Sequence, residues 1–553
     1  MPNSFFSNHQ QLLNDAVKAI EQRGYWSAFP EVPSGKIYGE TANQVGKAAF
    51  DSWLQHPYPL TLPATVDQTG SERSPYGFPL EITYPKVDLD ALLKAIVAAQ
   101  KPWRSAGPET WAGISLEILQ RLNRRSFEMA YAVMHTTGQG FMMAFQAGGP
   151  HAQDRGLEAV AYAWTELNHV PKKAYWEKPQ GKNEPLKLDK RFSIAPRGIS
   201  LVIGCSTFPT WNAYPGLFAS LATGNAVIVK PHPKAILPLA LTVETARQVL
   251  VEAGFDPNIV TLVAHEQDDD TPQKLALRPE IGIIDFTGST KNGEWLEQEA
   301  RQAVVYTEKA GVNQVVIDST SDFSGMVKNL AFSISLYSGQ MCTAPQNFYI
   351  PKNGVDTPEG HLPYDQVVQG LVDSLTKLLG DPARAVEILG AIQNDATLKR
   401  LEGARRLGKV VHDTASITHP QFPDAAVRTP LLVELSVSED HYSQECFGPI
   451  VFLIPVDSTE QALELARMTS RRSGSLTFSV YSTNESILHA ATEVATDAGV
   501  GLSCNLTGGV YVNQSAAFSD YHGTGANPAA NASLTDSAFV SNRFRIIETR
   551  IPV

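Results

Sequence analysis

Two textures of apolar patterning divide the chain. Up to about residue 170, apolar residues recur at helical spacing within Leu12–Arg23, Leu89–Ala99 and Trp111–Thr136, as a period near 3.6 requires. Between the first two of these, Pro, Gly and Ser dominate, so residues 1–90 read as mainly irregular. From 193 onward the apolar runs shorten. Ile199–Ile203, Ala226–Lys230, Val260–Ala264 and Gly282–Phe286 read as strands, alternating with helices at Pro215–Ala222 and Leu237–Ala253. Such alternation predicts βαβ units and a parallel sheet. A second α/β series begins near 315. It runs through Val315–Ile317, Met326–Tyr337, Asn347–Ile350, Gln366–Leu379, Val451–Val456, Glu460–Thr469 and Thr477–Tyr481. Residues 172–190 are polar and Lys-rich and predict an exposed hairpin or linker. Phe544–Ile551 predicts a β-rich tail.

A chain of 553 residues exceeds a single core and implies two or three domains. With 43% hydrophobic and 18% charged residues it has no profile of disorder. The net charge of −12, with no Lys/Arg run, argues against nucleic acid as a partner. The N-terminus has no basic and apolar leader, and no apolar run is long enough to span a bilayer, so no membrane partner is expected. The four cysteines, Cys205, Cys342, Cys446 and Cys504, form no CxxC pair. Neither a metal site nor a disulfide framework is expected, and a reducing cytoplasm is the expected compartment.

Five short segments carry candidate chemistry. Gly339–Ala344 places Cys342 after a predicted helix, where backbone N–H groups can lower a thiol pKa. A lone cysteine is more often a packed core residue. Tyr306–Gly311 places Glu308 behind an apolar stretch, where burial can raise a carboxylate toward general-base range. Most such glutamates are surface ion-pair partners. Asp285–Gly293 ends a strand and opens a helix whose free N–H groups suit phosphate. Its glycines are spaced GxxxxG, unlike the usual dinucleotide fingerprint, and a serine cap is the plain alternative. Gly224–Pro231 puts Lys230 at the carboxyl end of a strand, where open α/β sheets bind ligands. Glu445–Pro449 sets a carboxylate and Phe447 in a Gly-Pro turn.

In order and spacing these five resemble the aldehyde dehydrogenase superfamily from about residue 90 onward. The glutamate precedes the cysteine by 34 residues, as in that family. The resemblance implies an α/β fold with a Rossmann-type cofactor domain, a catalytic domain and a small oligomerisation sheet. It implies Cys342 as nucleophile and Glu308 as base. Lys230 would hold the adenosine ribose and Ser289 the pyrophosphate, with Gly288 and Gly293 permitting close helix approach. Glu445 would bind the nicotinamide ribose, with Phe447 beside the nicotinamide. The activity implied is NAD(P)-dependent oxidation of a small-molecule aldehyde through a Cys342 thiohemiacetal and thioester. A homodimer or dimer of dimers is the implied assembly.

Three departures from the family pattern matter. Thr207 stands where the family has an oxyanion-hole asparagine, with Asn212 as a shifted alternative. Pro233 replaces a ribose-binding glutamate and is followed by Lys234, which favours NADP over NAD because no carboxylate repels a 2′-phosphate. His232 adds a further donor there. The segment Lys309-Ala310-Gly311-Val312 replaces Leu-Gly-Gly-Lys. With FPEVPSGKIYGE and TTGQGFMMAFQAGGPHAQDRG, it is similar to the PaaN family of phenylacetic-acid degradation proteins, implying a CoA-linked semialdehyde as substrate. Related fused enzymes carry a C-terminal hydratase domain, which is not expected here.

The expected division is a cofactor domain at 1–311, rejoined at 514–538, and a catalytic domain at 312–513. Oligomerisation segments are expected at 173–192 and 539–553. Two rivals are a CoA-acylating dehydrogenase, disfavoured by retention of Glu308, and a binding or scaffold protein that keeps the fold with impaired catalysis.

Overall fold

The computed structural model describes residues 2–309 and 311–553. The N-terminal part is more helical than its Pro and Gly content suggests. Helices Pro2–Gln22 and Ala42–Trp53 and an antiparallel pair, Thr65–Thr69 with Tyr84–Val87, occupy the stretch expected to be irregular. The Ala42–Trp53 helix contains Gly46, a residue that weakens helix propensity. The reason for the glycine is tertiary: a Cβ there would lie 2.4 Å from Phe127 Cβ. Trp111–Thr136 is two helices, Pro108–Arg124 and Ser126–Thr137, broken at Arg125. Arg125 leaves helical geometry while its guanidinium bonds Glu128 and Glu244.

Five parallel strands form the first sheet, ordered Val260–Leu262, Ala226–Lys230, Ile199–Ile203, Ile281–Thr287, Val304–Glu308. Being covered on both faces, its central strands are continuous apolar runs. The second sheet has seven strands, in the order Lys409–His412, Leu431–Glu434, Ile450–Val456, Pro345–Pro351, Asn313–Ile317, Thr477–Tyr481, Gly501–Cys504. Only the Lys409–His412 edge is antiparallel. Separate apolar clusters pack on its two faces.

Residues 172–190 do form the expected hairpin: Lys173–Gln180 pairs with Asn183–Pro196, and Phe544–Pro552 adds a third antiparallel strand. Just before that third strand, Arg543 is fully buried and grips Asp285 with two bonds of 2.6 and 2.8 Å. Gly216 makes room for this pair, since a Cβ there would sit 2.5 Å from the Asp285 carboxyl carbon. No described helix is long and apolar enough to cross a membrane.

Candidate active site

The carboxyl ends of the first sheet's strands open into a cleft of about 480 Å³ that reaches from Lys230, His232 and Pro233 to Cys342 and Glu445. Register places Ile203 beside both Lys230 and Phe286, and Thr287 beside Glu308, so several functional groups share one rim. Crevices at strand carboxyl ends are where such sheets bind ligands.

Cys342 is carried by a strained turn. Helix Phe323–Ser335 stops and Tyr337, Ser338 and Gly339 follow with φ of 52°, 50° and 63°. Left-handed geometry is unfavourable for the two non-glycine residues, so neighbouring bonds must hold it. Tyr337 Oη donates to Thr137 O at 2.5 Å, and Ser338 Oγ bonds Leu389 O and Arg428 O, both at 3.0 Å. Asn313 Nδ2 then donates to Cys342 O at 2.8 Å and to Ala344 O at 2.9 Å.

Glu308 ends its strand 1% exposed and faces three side chains. Cys342 bonds it through the thiol. Asn212 Nδ2 donates to Oε1 at 3.4 Å, and His522 Nε2 lies 3.0 Å from Oε2. The acceptor atoms of Glu308, Cys342 and His522 lie within 4.8 Å of one another. Both pKa expectations need correction. Burial does push the Glu308 carboxyl up, but His522 and the bonds from Cys342 and Asn212 outweigh it and leave it below the ordinary value. The Cys342 thiol is not lowered. Burial and the Glu308 charge hold it well above its usual pKa. The resting pair is therefore thiol and carboxylate, with the carboxylate ready to take the thiol proton.

Thr207 lines the cleft and its hydroxyl bonds the Cys205 sulfur, while Gln139 Nε2 donates to Thr207 O at 2.8 Å. Asn212 is engaged with Glu308 and accepts from Cys205 Sγ at 3.6 Å. Cys205 itself is pushed up to about 11 by burial.

At the cofactor end, Ser289 caps helix Thr290–Glu299 by accepting from Asn292 N and is exposed to the cleft with Gly288. Gly293 serves another purpose than expected. The space above it is filled by the stem of Lys309, 2.5 Å from a Cβ position, so it packs that lysine and does not line the cleft. Lys230 is buried, and burial lowers its pKa to about 7. Lys234 is not among the lining residues. Its backbone N–H bonds His232 Nδ1 at 3.2 Å, and the wall is made by His232, Pro233 and His265. His265 is 4% exposed and its Nε2 has no partner. A buried, unsatisfied ring nitrogen beside a buried lysine and the N-terminus of the Thr290–Glu299 helix fit a dinucleotide. Glu445 and Phe447 line the other end, with Arg400 bonded to Phe447 O at 2.6 Å. Burial raises Glu445 to about 7.

The sequence reading missed His522, the engaged role of Asn212, His265, and the N-terminal brace. In that brace, Glu72 Oε1 accepts from Ile236 N and Leu237 N at 2.5 and 3.2 Å, fixing the start of the helix that follows the Lys230 loop. Thr69, Gly70 and Ser71 bond Glu266 next to His265. Only the polar types at 69–72 hinted at this.

The model of the aldehyde dehydrogenase family matches residues 83–526. A crystal structure described as an NAD-dependent aldehyde dehydrogenase from Burkholderia multivorans is 62% identical, with a TM-score of 0.98 and 99% of each chain covered. Benzaldehyde dehydrogenase [NAD(+)] of Pseudomonas putida is 24% identical over 68% of this chain and 73% of its own. An NADP-dependent glyceraldehyde-3-phosphate dehydrogenase from Bacillus halodurans C-125, complexed with NADP, shares the fold at 18% identity. Its TM-score is 0.68, with 88% of this chain and 96% of that one covered.

Proposed function

The chain belongs to the aldehyde dehydrogenase family, and from that premise we propose that Cys342 is its nucleophile and Glu308 its base. The carrying observation is the bond between the two, at the foot of a cleft built for a dinucleotide. Glu308 takes the Cys342 proton as sulfur adds to the aldehyde carbon, giving a thiohemiacetal. The Thr207 hydroxyl and the Cys342 N–H are assigned to its oxyanion. When bound, the nicotinamide supplies the hydride acceptor, and Glu445 and Phe447 are assigned to its ribose and ring. Glu308 releases that proton to solvent and then draws one from water as the water attacks the thioester carbon. The carbon–sulfur bond breaks, the Cys342 thiolate is reprotonated and the acid leaves. A base already held against the thiol favours water over CoA as the attacking group.

The substrate we propose is an aldehyde with a large apolar or aromatic part, of the CoA-linked semialdehyde kind in phenylacetate or related aromatic degradation. An apolar cluster of Ala147, Phe208 and Tyr337, with Met143, Trp211 and Met341 packed against it, reaches the cleft through Phe208 and supports the apolar part. For the cofactor we favour NADP, supported by the absence of a carboxylate at Pro233 and by the unpaired His265 nitrogen. The NAD-dependent relative gives NAD as the second reading.

The sheet ending at Glu308 and the sheet starting at Asn313 support cofactor and catalytic domains divided near 311. The three-stranded sheet exposes Tyr175, Trp176, Ile546 and Ile547, which supports a homo-oligomer formed there. Four unpaired thiols suit a reducing compartment such as the cytoplasm. The test is a panel of aliphatic, aromatic and CoA-linked aldehydes with each cofactor, the products identified by mass spectrometry. Reduction with release of free acid is expected. A CoA thioester formed only with added CoA, or no reduction at all, would overturn the reading.

A further inference from the structure

We infer that His522 is the positioning residue of the base: it anchors Oε2 of Glu308 so that Oε1 faces the thiol and the attacking water. This rests on the roles given above to Cys342 and Glu308.

Glu308 lies deep in the fold, where an unpaired carboxylate takes up a proton or swings toward water. Its neighbour Lys309 gives no help, because its ammonium is bound to Glu297 at 2.9 and 3.1 Å. The other groups facing the site are Cys342 on the strained turn, Cys205 and Asn212 from the segment after the first sheet's Ile199–Ile203 strand, and Glu445. The thiols and Glu445 add negative charge when ionised, and Asn212 is neutral. Among the described residues in contact with Glu308, His522 is the one able to carry positive charge. It sits 3.0 Å from Oε2, 4% exposed.

The imidazole is itself held. Its ring meets Trp211 edge to face, with centroids 4.6 Å apart. The Arg155 guanidinium lies over Trp211 at 5.1 Å. Arg155 also bonds Ser515 Oγ at 3.0 Å and Asp520 O at 3.4 Å, tying the segment that carries His522 to the Pro150–Asn168 helix. An imidazole held between an aromatic ring and a buried carboxylate, on a segment that is itself tied down, preorganises that carboxylate.

The test compares wild type with His522→Phe, His522→Gln and His522→Asn. Two profiles are read: kcat/KM against pH, and, without cofactor, the rate of Cys342 alkylation by iodoacetamide against pH. In His522→Phe the acid limb of both profiles should move up by about one pH unit or more, and kcat should fall by about 10- to 100-fold. His522→Gln, whose amide reaches Oε2, should recover much of both. Should the Phe variant not fold, His522→Asn, too short to reach, must show the upward shift. Unchanged profiles in His522→Phe or His522→Asn, or a Gln variant no better than Phe, overturn the inference. If wild type oxidises no aldehyde but alkylation still follows the His522 changes, the proposed function fails and this inference stands.

Discussion

The two ends of the cleft are built on opposite plans. At the catalytic end the central groups pair with one another: Cys342, Asn212 and His522 all bond Glu308, and the strained turn is tied down on both sides. At the Lys230 end the chain leaves such groups waiting. Lys230 drops to about 7, His232 to about 3 and His265 to about 4, each chiefly through burial, and His265 Nε2 has no partner. The first plan fixes geometry before any ligand arrives. The second leaves a desolvation cost that a ligand offsets on binding, and it makes affinity depend on what that ligand carries.

The largest expected effect breaks the first plan. Cys342→Ala should lower aldehyde oxidation by on the order of 10⁴-fold or more, while cofactor affinity by equilibrium titration stays unchanged. Equal turnover would return Cys205 and Cys446 to consideration. Glu308→Gln should follow, with a slowed burst of reduced cofactor and a steady state slowed further, by about 10²- to 10⁴-fold in stopped flow. A burst and a steady state slowed equally would confine Glu308 to activation of the thiol. Thr207→Ala should lower kcat by about 10²- to 10³-fold if its hydroxyl serves the oxyanion. A drop under about threefold would leave the burden on the Cys342 N–H.

The second plan is sharpened at Pro233. Pro233→Glu should weaken NADP by about 10- to 100-fold and spare NAD. No loss of NADP affinity would mean this wall does not choose. The smallest effect is a pH dependence. Lys230 is charged below about 7 and neutral above it, and a 2′-phosphate favours the charged form. NADP affinity relative to NAD should therefore fall as pH rises from 7 to 9, by up to about tenfold in all. A flat ratio by calorimetry would remove Lys230 from phosphate recognition.

Much of this was readable in advance, and what escaped shares a cause. The strands Ile199–Ile203 and Ala226–Lys230 are buried on both faces, so their runs are apolar and their bounds plain. Cys342 and Glu308 stood out through spacing. His522 did not, because it lies in irregular chain 214 residues from its partner, and the string Asp-Tyr-His-Gly reads as a turn. The Ala42–Trp53 helix was hidden by a glycine whose reason is the backbone of another helix. Gly293 was visible as a glycine, but its purpose, room for Lys309, depends on a side chain from another element.

The Arg543–Asp285 clasp has a consequence in time. Asp285 belongs to a strand at the heart of the first sheet, yet its partner is 258 residues further along. During synthesis at about 5–20 residues per second, that sheet exists for roughly ten seconds or longer with a carboxylate inside it and nothing to neutralise it. His522 reaches Glu308 across a similar stretch. The nascent sheet is thus neither at its full stability nor able to work until the far end of the chain has emerged. Molecules halted before residue 522 would carry Cys342 and Glu308 without His522 between Trp211 and the carboxylate.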